Sequence, residues 1–316
     1  NAGGVTRRLI EFVSALIGAV RGGLAMVSIG VSLFFAEISG SAVADVAALG
    51  SIMIPEMKKR GYGAPFAAAV TSSSASLAII IPPSIPMILY AVSANTSVEQ
   101  LFVAGFIPGL MGAIGLMGVS WWFARRYNLP VEEAFNWPRL RHAAIEAGPT
   151  FLLPIIILGG IFGGFVTATE AAGLAVLAAI GVGIWYREVD FRQLHRAMLE
   201  GGMQTAVVMV LVAASVLMGG FLTRAQIPQE LAAQMVAFTD SKFVILLILN
   251  VFFLIIGFFL HSAAAIILVV PIVVPLIQQV GIDPVHFGLV VTLNLAIGQQ
   301  TPPVASVLIT ACSIAR

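Results

Sequence analysis

The chain has 316 residues, 59% of them hydrophobic and only 10% charged, with a net charge of +1 and a mean hydropathy of +1.02. Soluble domains carry about 25% charged residues, so the composition describes an all-α polytopic protein of the lipid bilayer, and the near-zero net charge excludes nucleic acid as a partner. The single cysteine, Cys312, excludes a disulfide framework, and four scattered histidines lack metal-ligand spacing.

Asn1-Ala2-Gly3-Gly4 at the start, and Arg316 directly after an apolar stretch, read as the ends of an internal piece whose N- and C-terminal continuations are absent. Residues 1–22 are expected to form an interfacial amphipathic arm. Over 6–20, Leu9, Phe12, Val13, Leu16, Ile17 and Val20 recur at helical spacing, with Arg7, Arg8 and Glu11 outside that stripe. A first repeat core is expected over 23–98. Its opening part, 23–60, is apolar but interrupted by Glu37 and by Ser39-Gly40-Ser41, with Asp45 soon after. One span needs roughly 20 residues, so this length predicts a re-entrant hairpin with its tip at 39–41. Lys58-Lys59-Arg60 closes the hairpin, and the positive-inside rule puts its ends in the cytoplasm.

No Asp, Glu, Lys or Arg occurs from Gly61 to Val98, yet the predicted helix 64–95 contains Ile80-Ile81-Pro82-Pro83-Ser84-Ile85-Pro86. Proline removes a backbone donor and clashes with the preceding turn, so this helix must break near Pro82 and Pro83. Broken backbone at membrane depth is tolerated only inside protein or along a cavity. The segment 99–222 is expected to hold connecting and scaffold spans near 101–123, 149–166, 171–186 and 203–222. Cytoplasmic connectors at 124–147 and 187–202 carry Arg125, Arg126, Arg139 and Arg141, then Arg187, Arg192 and Arg196. Trp121, Trp122 and Trp185 read as interfacial anchors. A second arm helix falls within 223–242, with Ile227, Leu231, Met235 and Phe238 against Gln226, Gln229, Glu230 and Gln234. A second repeat core, 243–316, then supplies a hairpin at 243–282, interrupted at Gly257 and His261-Ser262. Its broken helix, 284–316, is interrupted at Gln299-Gln300-Thr301-Pro302-Pro303.

The spacing of the punctuation shows a repeat. Pro55 to Pro82 is 82 − 55 = 27 residues and Pro275 to Pro302 is 302 − 275 = 27, and an offset of 220 carries Pro55, Gly61, Pro82 and Pro83 onto Pro275, Gly281, Pro302 and Pro303. Where the first hairpin ends in Lys58-Lys59-Arg60, the second has Gln278-Gln279-Val280, so the two repeats are expected to be inverted. Paired interrupted segments in inverted repeats point to the binding site of a secondary transporter.

Ile38-Ser39-Gly40-Ser41-Ala42-Val43-Ala44-Asp45, Ile81-Pro82-Pro83-Ser84-Ile85-Pro86, Thr169-Glu170-Ala171-Ala172 and Gly298-Gln299-Gln300-Thr301-Pro302-Pro303-Val304-Ala305-Ser306 together resemble the large membrane subunit (M, DctM-type) of tripartite ATP-independent periplasmic (TRAP) transporters. The resemblance covers essentially the whole chain, although Ala168 stands where the family more usually has proline. It implies a multi-pass, non-enzymatic elevator-type carrier of the bacterial inner membrane, importing an organic acid such as a C4-dicarboxylate or sugar acid. It also implies sodium as the coupling ion, no cofactor otherwise, a small membrane subunit (Q-type), and a periplasmic substrate-binding protein (P-type).

Transferred to this chain, the sodium or substrate sites fall where hairpin tips meet breaks. These are Ser39, Gly40 and Ser41 with Ser73, Ser74, Ser76, Pro82 and Pro83, and His261 and Ser262 with Asn294, Gly298, Gln299, Gln300, Thr301 and Pro302. Ser41, Ser74 and Thr301 are the expected sodium ligands, since unwound carbonyls and hydroxyls suit a hard cation. No Lys or Arg lies at either tip or break, so an anionic substrate would be met by helix N-termini near Ala42 and Ala263. Plainer readings stand beside these. Serines in membrane helices also bond back to their own helix, Asp45 also suits the dipole of the hairpin's second arm, and His261 also suits a hydrogen-bonded tip. Glu37 and Glu170 are costly at membrane depth and are secondary candidates with Asp45, Glu170 equally as a helix cap. The competing functions are a divalent-anion/sodium symporter working without a binding protein, a channel, and an intramembrane hydrolase using Ser262 and His261.

Overall fold

The computed structural model describes residues 5–131, 135–186, 190–239 and 241–316, apart from the side chains of 223, 231, 232 and 236. Arg187 and the Leu231 side chain, used above, lie outside the described residues. Among the described residues every regular element is helical. The chain runs through α1 (Val5–Ile17), α2 (Gly23–Ser39), α3 (Ala42–Asp45), a π-helical turn (Val46–Gly50), α4 (Ser51–Lys59), α5 (Ala64–Ala75) and a 3₁₀ turn (Ser76–Ile79). It continues through α6 (Ile85–Ala94), α7 (Val98–Arg126), α8 (Trp137–Phe162), α9 (Ala168–Trp185), α10 (Phe191–Arg224) and α11 (Ile227–Phe238). The last elements are α12 (Lys242–Phe259), α13 (Ser262–Val280), α14 (Pro284–Gly298) and α15 (Ser306–Ala315). Six of these, α7 to α10, α12 and α13, are long and apolar enough to cross a membrane.

Helix pairs joined by short turns lie at 23–59 and 242–280, and helices are interrupted at 80–84 and 299–305. Among the described residues of the connectors, 137–147 and 191–202 are helical and continuous with the span that follows. Asn136 caps α8 by accepting from the Arg139 amide at 3.4 Å, and Pro138 occupies its first turn, where a missing N–H costs nothing. The first turns of α10 are held by the Arg196–Glu200 pair at 2.9 Å, so the polar stretch winds without interruption into the apolar one.

The repeat is visible in the elements themselves. Adding 220 to the bounds of α2, α3–α4, α5 with its 3₁₀ turn, and α6 reproduces those of α12, α13, α14 and α15 to within one residue. Gly61 and Gly281 close the two hairpins in the left-handed region, with φ of 84° and 72°, where a Cβ would be strained.

The chain divides into two compact units, neither continuous in sequence. The first holds α1 to α5, the 3₁₀ turn, α7 from Phe106, α8, α9 and α15; the second holds α6, the start of α7, α10 from Arg196, and α11 to α14. Grouping by chain order therefore separates what the fold joins. The second half of each broken helix belongs with the hairpin of the other repeat. In the first unit α2 packs on α1 and α5, and α5 on α15. Helix α2 is apolar on nearly every side because it is enclosed on nearly every side. Phe12, Phe34 and Phe151 pack edge to face with centroids 5.2–6.3 Å apart. Gly109 brings α7 against Ile81, so the first break is backed by a helix with no side chain in the way.

In the second unit α12 packs on α14, and α13 on α6 and α11. Their core is Tyr90, Leu101, Phe253, Ile266, Phe287 and Val291 among others. The Tyr90 ring sits over Gly288, and its hydroxyl donates to the Pro284 carbonyl at 2.7 Å. Pro271 in α13 cannot donate to the Ile267 carbonyl four residues earlier. The Ser215 hydroxyl from α10 donates to that carbonyl instead.

Candidate functional site

Each unit contains one hairpin tip and one helix break in contact. At the first tip, Gly40 ends α2 in the left-handed region (φ 60°), its amide donating to the Ala36 carbonyl at 3.2 Å. Ser41 is extended, and its amide donates to the Ser39 hydroxyl at 3.3 Å. The Ser39 hydroxyl donates in turn to Asp45 Oδ1. Asp45 thus folds back across the turn and ties the end of α2 to α3. It is fully buried, and its other oxygen, Oδ2, has no hydrogen-bond partner in the protein. A buried acceptor left in that state is costly, and a bound cation, proton or water would relieve it.

Helix α3 packs against both α5 and the 3₁₀ turn, so this tip adjoins the serine-rich end of α5. Ser74 is fully buried; its hydroxyl accepts from Ser32 at 2.9 Å and donates to the Thr71 carbonyl at 3.1 Å. Ser72 and Ser76 bond back to the Ala69 and Ser72 carbonyls at 3.1 and 3.5 Å, and Ser73 is half-buried. The Ser28 and Thr71 hydroxyls are buried without partners. At the break Pro82 is buried and Pro83 half-buried. Pro83 cannot serve the Ile79 carbonyl, and the Ser84 hydroxyl serves it at 2.6 Å. Glu37 lies on α2 two residues before Ser39 and is half-buried.

The second tip has the same outline and different chemistry. Leu260 and His261 are extended between α12 and α13; His261 is exposed and its side chain caps nothing, while Ser262 is buried. The break is pinned to this tip by backbone, the Val304 amide donating to the Phe258 carbonyl at 3.2 Å. Gly257 and Gly298 let α12 and α14 touch backbone to backbone; a Cβ at Gly298 would collide with the Gly257 main chain. Asn294 is buried and donates to Asn250 Oδ1 and to the Val290 carbonyl at 2.8 Å. Gln299 is 2% exposed and its Nε2 lacks a partner. Gln300 and Thr301 are half-buried, and the Thr301 hydroxyl bonds back to Ile297 at 3.1 Å. Pro302 and Pro303 are exposed. Among the described residues, the buried side-chain atoms without a partner are thus oxygens in the first unit and the Gln299 amide nitrogen in the second.

The fold brings the first tip, Ser39 to Asp45, against the end of α5 and the 3₁₀ turn, which carry Ser74 and Ser76, and at the second tip brings Gly257 and Phe258 against Gly298 and Val304. Thr301 belongs to the other unit from Ser41 and Ser74. Glu170 joins neither group. Its carboxylate accepts from the Thr167 amide and hydroxyl at 2.7 and 2.8 Å, closing a capping box at the start of α9. Among the described residues no three His, Cys, Asp or Glu form a metal-holding cluster, so any cation here relies on hydroxyl, carbonyl and lone carboxylate oxygens. Sequence reading missed Ser32, Thr71, Ser84 and Asn250. Asn250 had a signal, a lone amide in the otherwise apolar run 243–260.

The profile of the tripartite ATP-independent periplasmic transporter DctM component matches residues 1–316. The isethionate TRAP transporter permease protein DctMQ of Oleidesulfovibrio alaskensis is 40% identical over all of this chain and 50% of its own length. The C4-dicarboxylate large permease protein DctM of Pseudomonas aeruginosa is 39% identical over 96% of this chain and 71% of its own. The sialic acid large permease protein SiaM of Vibrio cholerae is 38% identical over 98% and 72%. The chain thus spans between half and about three-quarters of the length of these relatives. With a match over its full length and six helices fit to cross a bilayer, the chain belongs to the DctM family of TRAP transporters, permease components of the bacterial inner membrane and not enzymes.

Proposed function

We propose that this chain is the translocating part of a sodium-coupled importer of an organic acid, delivered by a periplasmic substrate-binding protein and moved by an elevator mechanism. The observation that carries this reading is the matched pair of tips and breaks, one in each unit, with buried unsatisfied oxygens at the first and an unsatisfied amide at the second. Asp45, Ser39, Ser41 and the α5 serines suit sodium. Gln299 Nε2 and the N-terminus of α13 suit an anion, and Thr301 with the loosened carbonyls around it offers a second cation site. The lysine and arginine cluster at 58–60 against Gln278-Gln279-Val280 supports inversion of the repeats. The relatives are named for isethionate, C4-dicarboxylate and sialic acid, all small organic anions. A small Q-type membrane subunit, fused in the O. alaskensis relative by its name, is the expected membrane partner.

The test is uptake into proteoliposomes with an imposed sodium gradient, with and without the cognate binding protein. Saturable uptake requiring both supports the reading. Uptake of free substrate without the binding protein favours the divalent-anion/sodium symporter reading, and unsaturable flux without sodium favours a channel.

A further inference from the structure

We infer that one water molecule is bound between α2 and α5, held by the hydroxyls of Ser28 and Thr71. Both residues are 1% exposed, and among the described residues neither hydroxyl has a hydrogen-bond partner. A serine or threonine in a membrane helix ordinarily satisfies itself by donating to a carbonyl three or four residues earlier. Ser72, Ser74, Ser76, Thr292 and Thr310 all do so. Ser28 and Thr71 lie within helices with the same carbonyls behind them, yet their hydroxyls are turned elsewhere.

The fold fixes where they turn. Helix α3 packs on the 3₁₀ turn that extends α5, while the π-helical turn and α4 pack on α5 itself, so the hairpin's second arm runs antiparallel to α5. Its first arm, α2, therefore runs parallel to α5, and the 2.9 Å bond from Ser32 to Ser74 sets the register. Ser28 precedes Ser32 by one turn of α2, and Thr71 precedes Ser74 by one turn of α5. At 1.5 Å per residue these steps are about 6 and 4.5 Å, and each stays on its own helix face. On α2, Gly30 faces Val13 and Ile17 of α1, about half a turn round from Ser28 and Ser32. On α5, the Thr71 methyl lies toward Gly50 of the π-helical turn, which leaves Oγ1 on another side. The two hydroxyls thus face one seam in one layer, a turn further from the break than the Ser32–Ser74 bond.

The chemistry of that layer selects its occupant. Each hydroxyl is neutral and both donor and acceptor, and leaving it buried and unpaired is costly. A buried water needs only two to four polar partners, whereas hard cations such as magnesium and calcium take about six or more oxygens. A bridging water gives α2 and α5 a second polar tie. It also anchors Thr71, whose carbonyl accepts from the Ser74 hydroxyl at 3.1 Å. The bridge does not rest on the proposed function, for it stands whether or not Asp45 holds sodium.

The experiment images the full-length permease in lipid nanodiscs by electron cryomicroscopy, in sodium and again in potassium, at a resolution that shows other buried waters. A peak within hydrogen-bond distance of both Ser28 Oγ and Thr71 Oγ1 is expected, with the same height in the two salts. Thermal unfolding of Ser28→Ala, of Thr71→Val and of the double variant gives an independent reading. Each single change should lower the midpoint by about 2–4 °C. The double change should lower it no further than the larger single one, since either alone removes the bridge. No peak, a peak that changes with the cation, a direct bond between the two hydroxyls, or losses that add in the double variant would each overturn the assignment.

Discussion

At the first hairpin tip the turn is tied by side chains, Ser39 to Asp45, with Ser84 serving the carbonyl that Pro83 leaves. At the second, backbone does the tying, through Val304 to Phe258 and the bare contact of Gly257 with Gly298. The 220-residue offset places Glu37 and Ala78 where the second unit has Gly257 and Gly298. The closeness that two glycines provide in one repeat is thus exchanged for a carboxyl side chain and an alanine methyl in the other. One feature is kept in both. Ser74 and Asn294 occupy matching positions, and each bonds a residue on the first arm of its own hairpin, Ser32 or Asn250. Repetition has preserved the bracing of each break and let the tip chemistry diverge.

This contrast can be broken in four ways. Gly298→Val should be the most damaging change, costing about 3 kcal/mol or more through overpacking, read as thermal unfolding in detergent; tolerance would mean that the α12–α14 contact is looser than drawn. Asp45→Asn keeps the shape and loses the charge. A hydrogen bond to a charged group contributes about 1.5–3 kcal/mol, so sodium-driven uptake should fall on the order of 10- to 100-fold. An unchanged half-saturating sodium concentration would remove Asp45 from the ion site. The braces should be unequal, since interhelical hydrogen bonds in membranes average about 0.6 kcal/mol with a maximum near 1.7. Asn294→Ala is expected near the top of that range and Ser74→Ala near the mean. Double-mutant cycles with Asn250 and Ser32 measure both, and a vanishing coupling in either would end the parallel. Glu170→Gln, far from the tips in role, should slightly lower thermal stability through the α9 cap and leave sodium dependence intact; a sodium effect would restore it as a site candidate.

Much of the fold was legible because proline and glycine punctuate it. The tip at 39–41, the breaks at 82–83 and 302–303, and the offset between repeats follow from backbone donors that are missing and from φ values that only glycine adopts easily. The exchange of α6 and α15 between units was not legible. Apolar runs state that a helix is buried or lipid-facing, not which helix lies beside it. The partners of candidate residues were hidden for the same reason. Ser74 stood out within Ser72–Ser76, but Ser32 is one serine in an apolar helix and acquires meaning only when α2 lies on α5. Asp45 was read chiefly against a helix dipole, whereas its bond to Ser39 depends on the sharpness of a turn that local sequence does not measure.

The exchanged half-helices also order events in time. Helix α5 packs against α15, and every residue of the second unit is synthesised between them. Until Ser306–Ala315 emerges, α5 has α2 beside it but lacks α15, however early the first hairpin has inserted. Non-local packing of this kind is slow and leaves transient apolar surface. The first unit, although begun first, is therefore completed last.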